Sequence, residues 1–171
     1  FMFRTLALAC SLCIGAASAQ ESEPSWSVVI HGGAGVIERG DMDAETEAAY
    51  RAAMNDAAVA AGEILAAGGS ALDAVEAVIR VLEDDPKFNA GRGAVFTSEG
   101  RNELDASIMR ASDLQAGAVS SVTTVRHPIS LARAVMENNP HVMLSGAGAE
   151  RFAAEQGLEQ VDNVYFFTER R

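Results

Sequence analysis

Between Pro86 and Met109 the chain reads PKFNAGRGAVFTSEGRNELDASIM, and no other stretch restricts the fold as much. Two glycine-containing turns, one over Asn89–Gly93 and one over Ser98–Gly100, bracket a short apolar run. Glycine admits positive φ and lets backbone pass close to backbone, so such turns mark places where the chain must bend sharply. The β-prone runs Gly93–Thr97 and Glu103–Met109 around Ser98-Glu99-Gly100 predict a hairpin. Asp105 reads as a buried-type acid inside the second run. A chain with this block has to fold tightly around one place. The complementary observation is an absence: no complete set of catalytic groups stands anywhere in the 171 residues.

The rest of the chain supplies elements to build that place. Trp26–His31 (WSVVIH) predicts a strand running into the turn His31-Gly32-Gly33-Ala34-Gly35. Asp41 and Asp43 precede an Ala-rich stretch that predicts a helix over 44–67, closed by Gly68-Gly69. Ser70 with Asp73 three residues on forms a short capping-box pattern. The spacing of Leu72, Val75, Val78, Ile79 and Leu82 then predicts an amphipathic helix, stopped by Asp84-Asp85-Pro86. Gly117–Val125 is rich in β-branched residues and predicts a strand. Pro128 suits the first turn of a helix through Glu137. A further helix follows Ser145 to about Gln156, and Val161–Phe167 reads as strand-like or loose. Strands alternating or clustering with helices give an α/β or α+β layered class.

Composition excludes some functions. The net charge of −11 leaves no basic surface for a nucleic-acid backbone. Arg4, the apolar run Leu6–Ala17 and the small residues Ala17-Ser18-Ala19 read as an export signal over residues 1–19, too short to span a bilayer. A polar linker over 20–25 would join it to one domain over 26–171. The expected location is periplasmic or secreted, with no membrane attachment after cleavage. Both cysteines, Cys10 and Cys13, fall inside that signal, so the mature chain would hold no thiol chemistry.

Three clusters could carry chemistry. The glycine turn after His31 could cradle an anion, yet it lacks the Lys-Ser/Thr of a phosphate loop, and a tight packed turn serves equally well. His31 itself reads as a hydrogen-bonded structural histidine. Phe88-Asn89-Ala90-Gly91-Arg92-Gly93 reads either as an Asx-type turn or as a loop whose carbonyls ring a hard cation. Glu103 and Asp105 alternate on one strand face. They read as an acid/base pair or, more simply, as an aspartate satisfying nearby N–H groups. His127 and His141 read as loop residues beside prolines, and the histidines show no metal-ligand spacing.

Five blocks together carry a resemblance: VVIHGGAG at 28–35, GGSALDAVEAVIRVLEDDPKFNAGRGAVFT at 68–97, ELDASIM at 103–109, GAVSSV at 117–122, and RHPISLARAVMENNPHVMLSGAGAERFA at 126–153. In this order and spacing they resemble the plant-type L-asparaginase and isoaspartyl peptidase family of N-terminal-nucleophile hydrolases. The resemblance implies a four-layer αββα sandwich of which this chain supplies the α-subunit half. It implies a precursor that cuts itself, leaving a β-subunit whose N-terminal threonine attacks the amide while its own amine acts as base. No threonine here stands in a Gly-Thr-Val-Gly context, so the nucleophile is expected outside the chain, and this part alone is expected to be inactive.

By the same resemblance, Asn89 belongs to the active-site wall, and Gly32, Gly33 and Gly35 support the nucleophile from the glycine-rich loop. The main-chain carbonyls of Leu82, Glu83, Asp85, Phe88, Ala90 and Arg92 would hold a structural sodium ion. No organic cofactor is implied. The implied partners are a β-subunit from the same precursor, an (αβ)2 heterotetramer, and a small-molecule or dipeptide substrate: asparagine or a β-aspartyl peptide. The alternative reading is a non-catalytic remnant or binding module with the same half-fold.

Overall fold

A computed structural model describes residues 25–33 and 42–170. The expected signal, residues 20–24 of the linker, and Gly35 lie outside the described residues.

Helix α1 spans Ala44–Ala66 and starts where Asp43 accepts the Thr46 N–H at 2.7 Å. This bond satisfies one of the orphan donors of the first turn. Ala53, Ala57 and Ala61 recur every fourth residue and are buried, giving α1 a smooth seam of small side chains. Helix α2, Ala71–Asp84, lies against it. Its capping box forms as the sequence predicts: Asp73 N–H donates to Ser70 Oγ at 3.1 Å, and Ser70 N–H donates to Asp73 Oδ2 at 3.2 Å. Asp85 is extended, as the residue before a proline prefers, and the helix ends.

The apolar stripe of α2 is divided between two neighbours. Ala74, Val78 and Leu82 pack with α1, while Leu72 joins the cluster around the sheet. Val75, expected within the stripe, reaches neither cluster and stands 47% exposed. It borders an apolar groove between α2 and residues 27–31.

Among the described residues one sheet forms, in the order β1-β2-β3. β1 (Leu104–Arg110) pairs antiparallel with β2 (Gln115–Val122), and β2 pairs parallel with β3 (Met143–Ser145). Helix α3, Pro128–Asn138, covers one face through Ile129, Leu131, Ala132, Val135 and Met136, with Pro128 in the first turn as expected. Helix α4, Gly146–Glu155, buries Ala149 and Ala153 in the same cluster. On the other face Asp105, Ser107 and Met109 are exposed.

Four expectations change. Trp26–His31 is not a strand: among the described residues no neighbour pairs with it, and Val29 is 96% exposed. An apolar run needs a ladder partner to become a strand. The 93–97 arm of the hairpin shrinks to a single bridge, Phe96 to Asn102. The strand expected to reach Val125 stops at Val122, because the Glu150 carboxylate accepts the N–H groups of Thr123 (2.6 Å) and Thr124 (3.0 Å) in place of a neighbouring strand. The 161–167 tail forms a short 3-10 turn over Asn163–Phe166 with Phe166 fully buried.

The β1–β2 connection places Leu114 at φ 60°, where its side chain is 71% exposed. A left-handed backbone costs an L-residue roughly 1–2 kcal/mol, partly offset on mutation by the greater entropy of unfolded glycine. Leu114→Gly is therefore expected to stabilise the fold by about 0.5 kcal/mol, read as a raised urea midpoint with unchanged slope.

Candidate active-site wall and carbonyl loop

The loop that leaves α2 is pinned from below. Asp85 starts it, accepting the Lys87 N–H on Oδ1 and the Phe88 N–H on its carbonyl, both at 3.0 Å. An Asx-type turn thus forms at Asp85, just ahead of the segment Phe88–Gly93 for which the composition allowed one. Phe88 is buried and meets the Tyr50 ring edge-on at 5.7 Å, and the Tyr50 hydroxyl donates to the Lys87 carbonyl at 2.9 Å. One aromatic anchor thus fixes the loop on α1 and leaves the next residue, Asn89, exposed.

The glycine turn comes to the same spot. A β-carbon on Gly32 would lie 3.2 Å from Met54 Sδ and 3.4 Å from the Phe88 ring. Gly33 has φ +106°, and its open side faces Asn89 Oδ1 at 3.5 Å from where a β-carbon would stand. His31 Nδ1 accepts the Gly33 N–H at 3.2 Å, so this histidine holds the turn, though on the surface rather than in the core. Gly32, Gly33 and Asn89 are therefore brought together.

The carbonyl loop closes at Glu83. Its main-chain oxygen accepts the Arg92 N–H at 2.7 Å. A β-carbon on Gly91 would sit 2.5 Å from that same oxygen, and one on Gly93 would sit 2.7 Å from the Phe88 oxygen and 2.8 Å from the Pro86 oxygen. Carbonyl oxygens thus crowd into space that side chains would otherwise fill. Rings of backbone carbonyls can replace the hydration shell of an alkali cation. The donor chemistry of this loop fits such an ion, with Pro86 an oxygen that the sequence did not single out. The Glu83 and Asp85 oxygens each already accept one N–H and keep a second lone pair.

Behind the loop lies a buried polar set that sequence reasoning missed. His127, read as a loop residue, is the N-cap of α3 and only 7% exposed. Its Nδ1 lies 3.0 Å from Glu83 Oε2, and Glu83 Oε1 accepts the Ile129 N–H at 2.9 Å. The end of α2 therefore caps the start of α3 with a carboxylate, which the positive helix terminus favours. Burial pushes the Glu83 carboxyl up, opposed by the hydrogen bonds from His127 and Ile129. Next to it, burial also works to raise Asp84, but hydrogen bonds from Arg126 and Tyr165 outweigh it and hold Asp84 below its ordinary value. The signal that could have revealed this set is an acid flanking the apolar stripe of α2 together with a His-Pro at a helix start.

Asn102 was also missed. It is 1% exposed, donates to the Ala94 carbonyl at 2.8 Å, and takes both a bond from and a bond to the Asn163 side chain through its own backbone. The Glu103 and Asp105 pair does not form. Glu103 binds Arg101 at 2.7 Å, while Asp105 is exposed and accepts the Ser121 N–H at 2.9 Å across a bulge where Ser121 has φ 52°. The simpler reading of Asp105 holds, but as a surface residue rather than a buried one. Among the described residues no cluster of three or more His, Cys, Asp or Glu side chains could hold a metal ion.

The chain matches the asparaginase family model over residues 24–171. It belongs to the asparaginase family. It is 48% identical over 144 residues to the isoaspartyl peptidase of Salmonella typhimurium, covering 84% of this chain and 46% of that protein. It is 46% identical over 144 residues to the isoaspartyl peptidase of Escherichia coli, covering 84% and 45%. It is 48% identical over 143 residues to the isoaspartyl peptidase/L-asparaginase of Mus musculus, covering 84% and 43%. The chain thus spans less than half the length of these curated relatives. The asparaginase blocks read from the sequence fall on the elements just described: the glycine turn, α2 with its loop, β1, β2, and α3 to α4.

Proposed function

We propose that this chain is the α-subunit portion of an exported isoaspartyl peptidase/L-asparaginase. Its relatives bear those names at nearly half identity over 84% of the chain, and this observation carries the reading. The meeting of Gly33 with Asn89 supports it, because the two family blocks that would flank the nucleophile converge although they lie far apart in sequence. The reaction is hydrolysis of the asparagine side-chain amide or of a β-aspartyl peptide bond. An N-terminal threonine outside this chain attacks the carbonyl while its own amine takes the hydroxyl proton; that proton passes to the departing ammonia or peptide amine as the C–N bond breaks, and water then hydrolyses the acyl-enzyme to free aspartate and regenerate the threonine. Fixed N–H donors stabilise the oxyanion. Asn89 and the glycine turn shape the wall; they do not attack.

The partner is a β-subunit from the same precursor, in an (αβ)2 assembly with a four-layer sandwich. On the second face of the sheet Met109 is 59% exposed, an apolar side chain that a further layer would cover. A sodium ion held by the carbonyls of Leu82, Glu83, Asp85, Phe88, Ala90 and Arg92 would fix the loop that carries Asn89. The segment 1–19 would direct export.

The test is to express the full-length coding sequence. Self-cleavage on a denaturing gel and release of aspartate from asparagine or a β-aspartyl dipeptide are expected. Asn89→Ala is expected to lower kcat/KM by about 100-fold with little change in melting temperature, since misplacing a positioning contact costs on that order. A full-length product that neither cleaves itself nor acts on either substrate would make the chain a non-catalytic remnant.

A further inference from the structure

Glu83 is the residue at which three structures meet. Its carbonyl closes the loop on Arg92, its Cα and Cβ lie against Gly91, and its carboxylate spans to the start of α3. We propose that the Glu83 side chain, held by His127 and the Ile129 amide, is a positioning residue that presets loop 82–93 for cation binding. The inference rests on the cation reading of that loop.

The side chain is 2% exposed, as much as a core leucine, yet it is a carboxylate. Burying a charge is costly, and apolar replacements of buried ion pairs are often neutral or stabilising. A carboxyl group at this place does something an apolar side chain cannot: it makes two directed hydrogen bonds to one helix end, with His127 Nδ1 and from the Ile129 N–H, and so fixes the rotation of the last turn of α2. That turn carries the Leu82 and Glu83 carbonyls. Its orientation decides whether those oxygens point into the cradle beside Gly91 and Gly93. The groups facing Glu83 are His127 and Ile129 from α3 and its own neighbour Asp84, which Arg126 and Tyr165 hold from the side. Partners one step removed from a bound ion commonly govern its affinity by orienting the ligands.

The experiment follows thermal melting of the full-length protein in sodium chloride, with choline chloride holding ionic strength constant. A bound ion raises the melting temperature with a measurable half-saturating concentration. Glu83→Ala is expected to raise that concentration by about tenfold or more, and Glu83→Gln, which keeps the acceptor for Ile129, to restore most of it. Val135→Ala removes buried volume from α3 without touching Glu83; it is expected to lower the melting temperature and leave the half-saturating sodium unchanged. If Glu83→Ala does not fold, His127→Asn carries the test with a several-fold shift. An unchanged sodium midpoint in the Glu83 or His127 variants overturns the proposal, as does an equal shift in Val135→Ala. Absence of any sodium response in the unsubstituted protein sinks the cation reading and this inference with it.

Discussion

Replacing Phe166 by alanine is expected to destabilise the fold by about 4 kcal/mol, because a buried aromatic loses its transfer energy and leaves a cavity. Phe166 is fully buried in the cluster formed by the sheet, α3 and α4. Its carbonyl also accepts the Gly93 N–H at 2.9 Å, so the tail and the carbonyl loop are tied at one residue. Asn163 adds bonds to the carbonyls of Asn102 and Thr123 at 2.8 and 2.9 Å. The tail is therefore a strap across the hairpin base rather than a trailing end. Denaturant melting of the full-length protein checks the magnitude. A loss under about 1 kcal/mol would show that the cavity collapses or that Phe166 contributes little.

Gly117→Ala is expected to cost at least about 3 kcal/mol, through overlap that no rotamer can relieve. A methyl group there would overlap the Ala132 carbonyl oxygen and approach Met136 N at 2.5 Å, both backbone atoms of α3. Gly117 lies opposite Ile108 in the β1–β2 ladder, so β2 cannot retreat without breaking register. The internal control is Gly148→Ala. Its nearest neighbour would be the end of the Arg151 side chain at 3.9 Å, and the position is helical, so alanine is expected to stabilise by about 1 kcal/mol. The same substitution thus has opposite signs at two glycines. Equal effects at both would show that α3 does not press on β2 as described.

Much of the fold was legible because local chemistry agrees with it. Asp43, Ser70 with Asp73, and Pro128 mark helix starts that form where the sequence puts them, each through bonds or dihedrals within a few residues. The two family blocks that flank the candidate wall were also legible as glycine turns. What failed did so where the outcome depends on a distant partner. WSVVIH has the apolar centre of a strand but no partner to pair with among the described residues. His127 looked like a loop histidine because its partner, Glu83, is far away in sequence and close only through the packing of α2 on α3.

The block from Pro86 to Met109 shows the division most clearly. Its sequence alone determines that the chain turns sharply at Asn89–Gly93 and again at Ser98–Gly100, since only glycine accepts such backbone angles cheaply. Here Gly93 and Gly100 have φ +93° and +77°. Tertiary structure alone decides what the turns face. Phe88 buried on Tyr50 aims Asn89 at Gly33, the crowded carbonyls at Gly91 and Gly93 make a cradle, and Glu83 ties that cradle to α3. Backbone angles are local and are written in residue type; a site is a meeting of distant segments, and packing sets which segments meet.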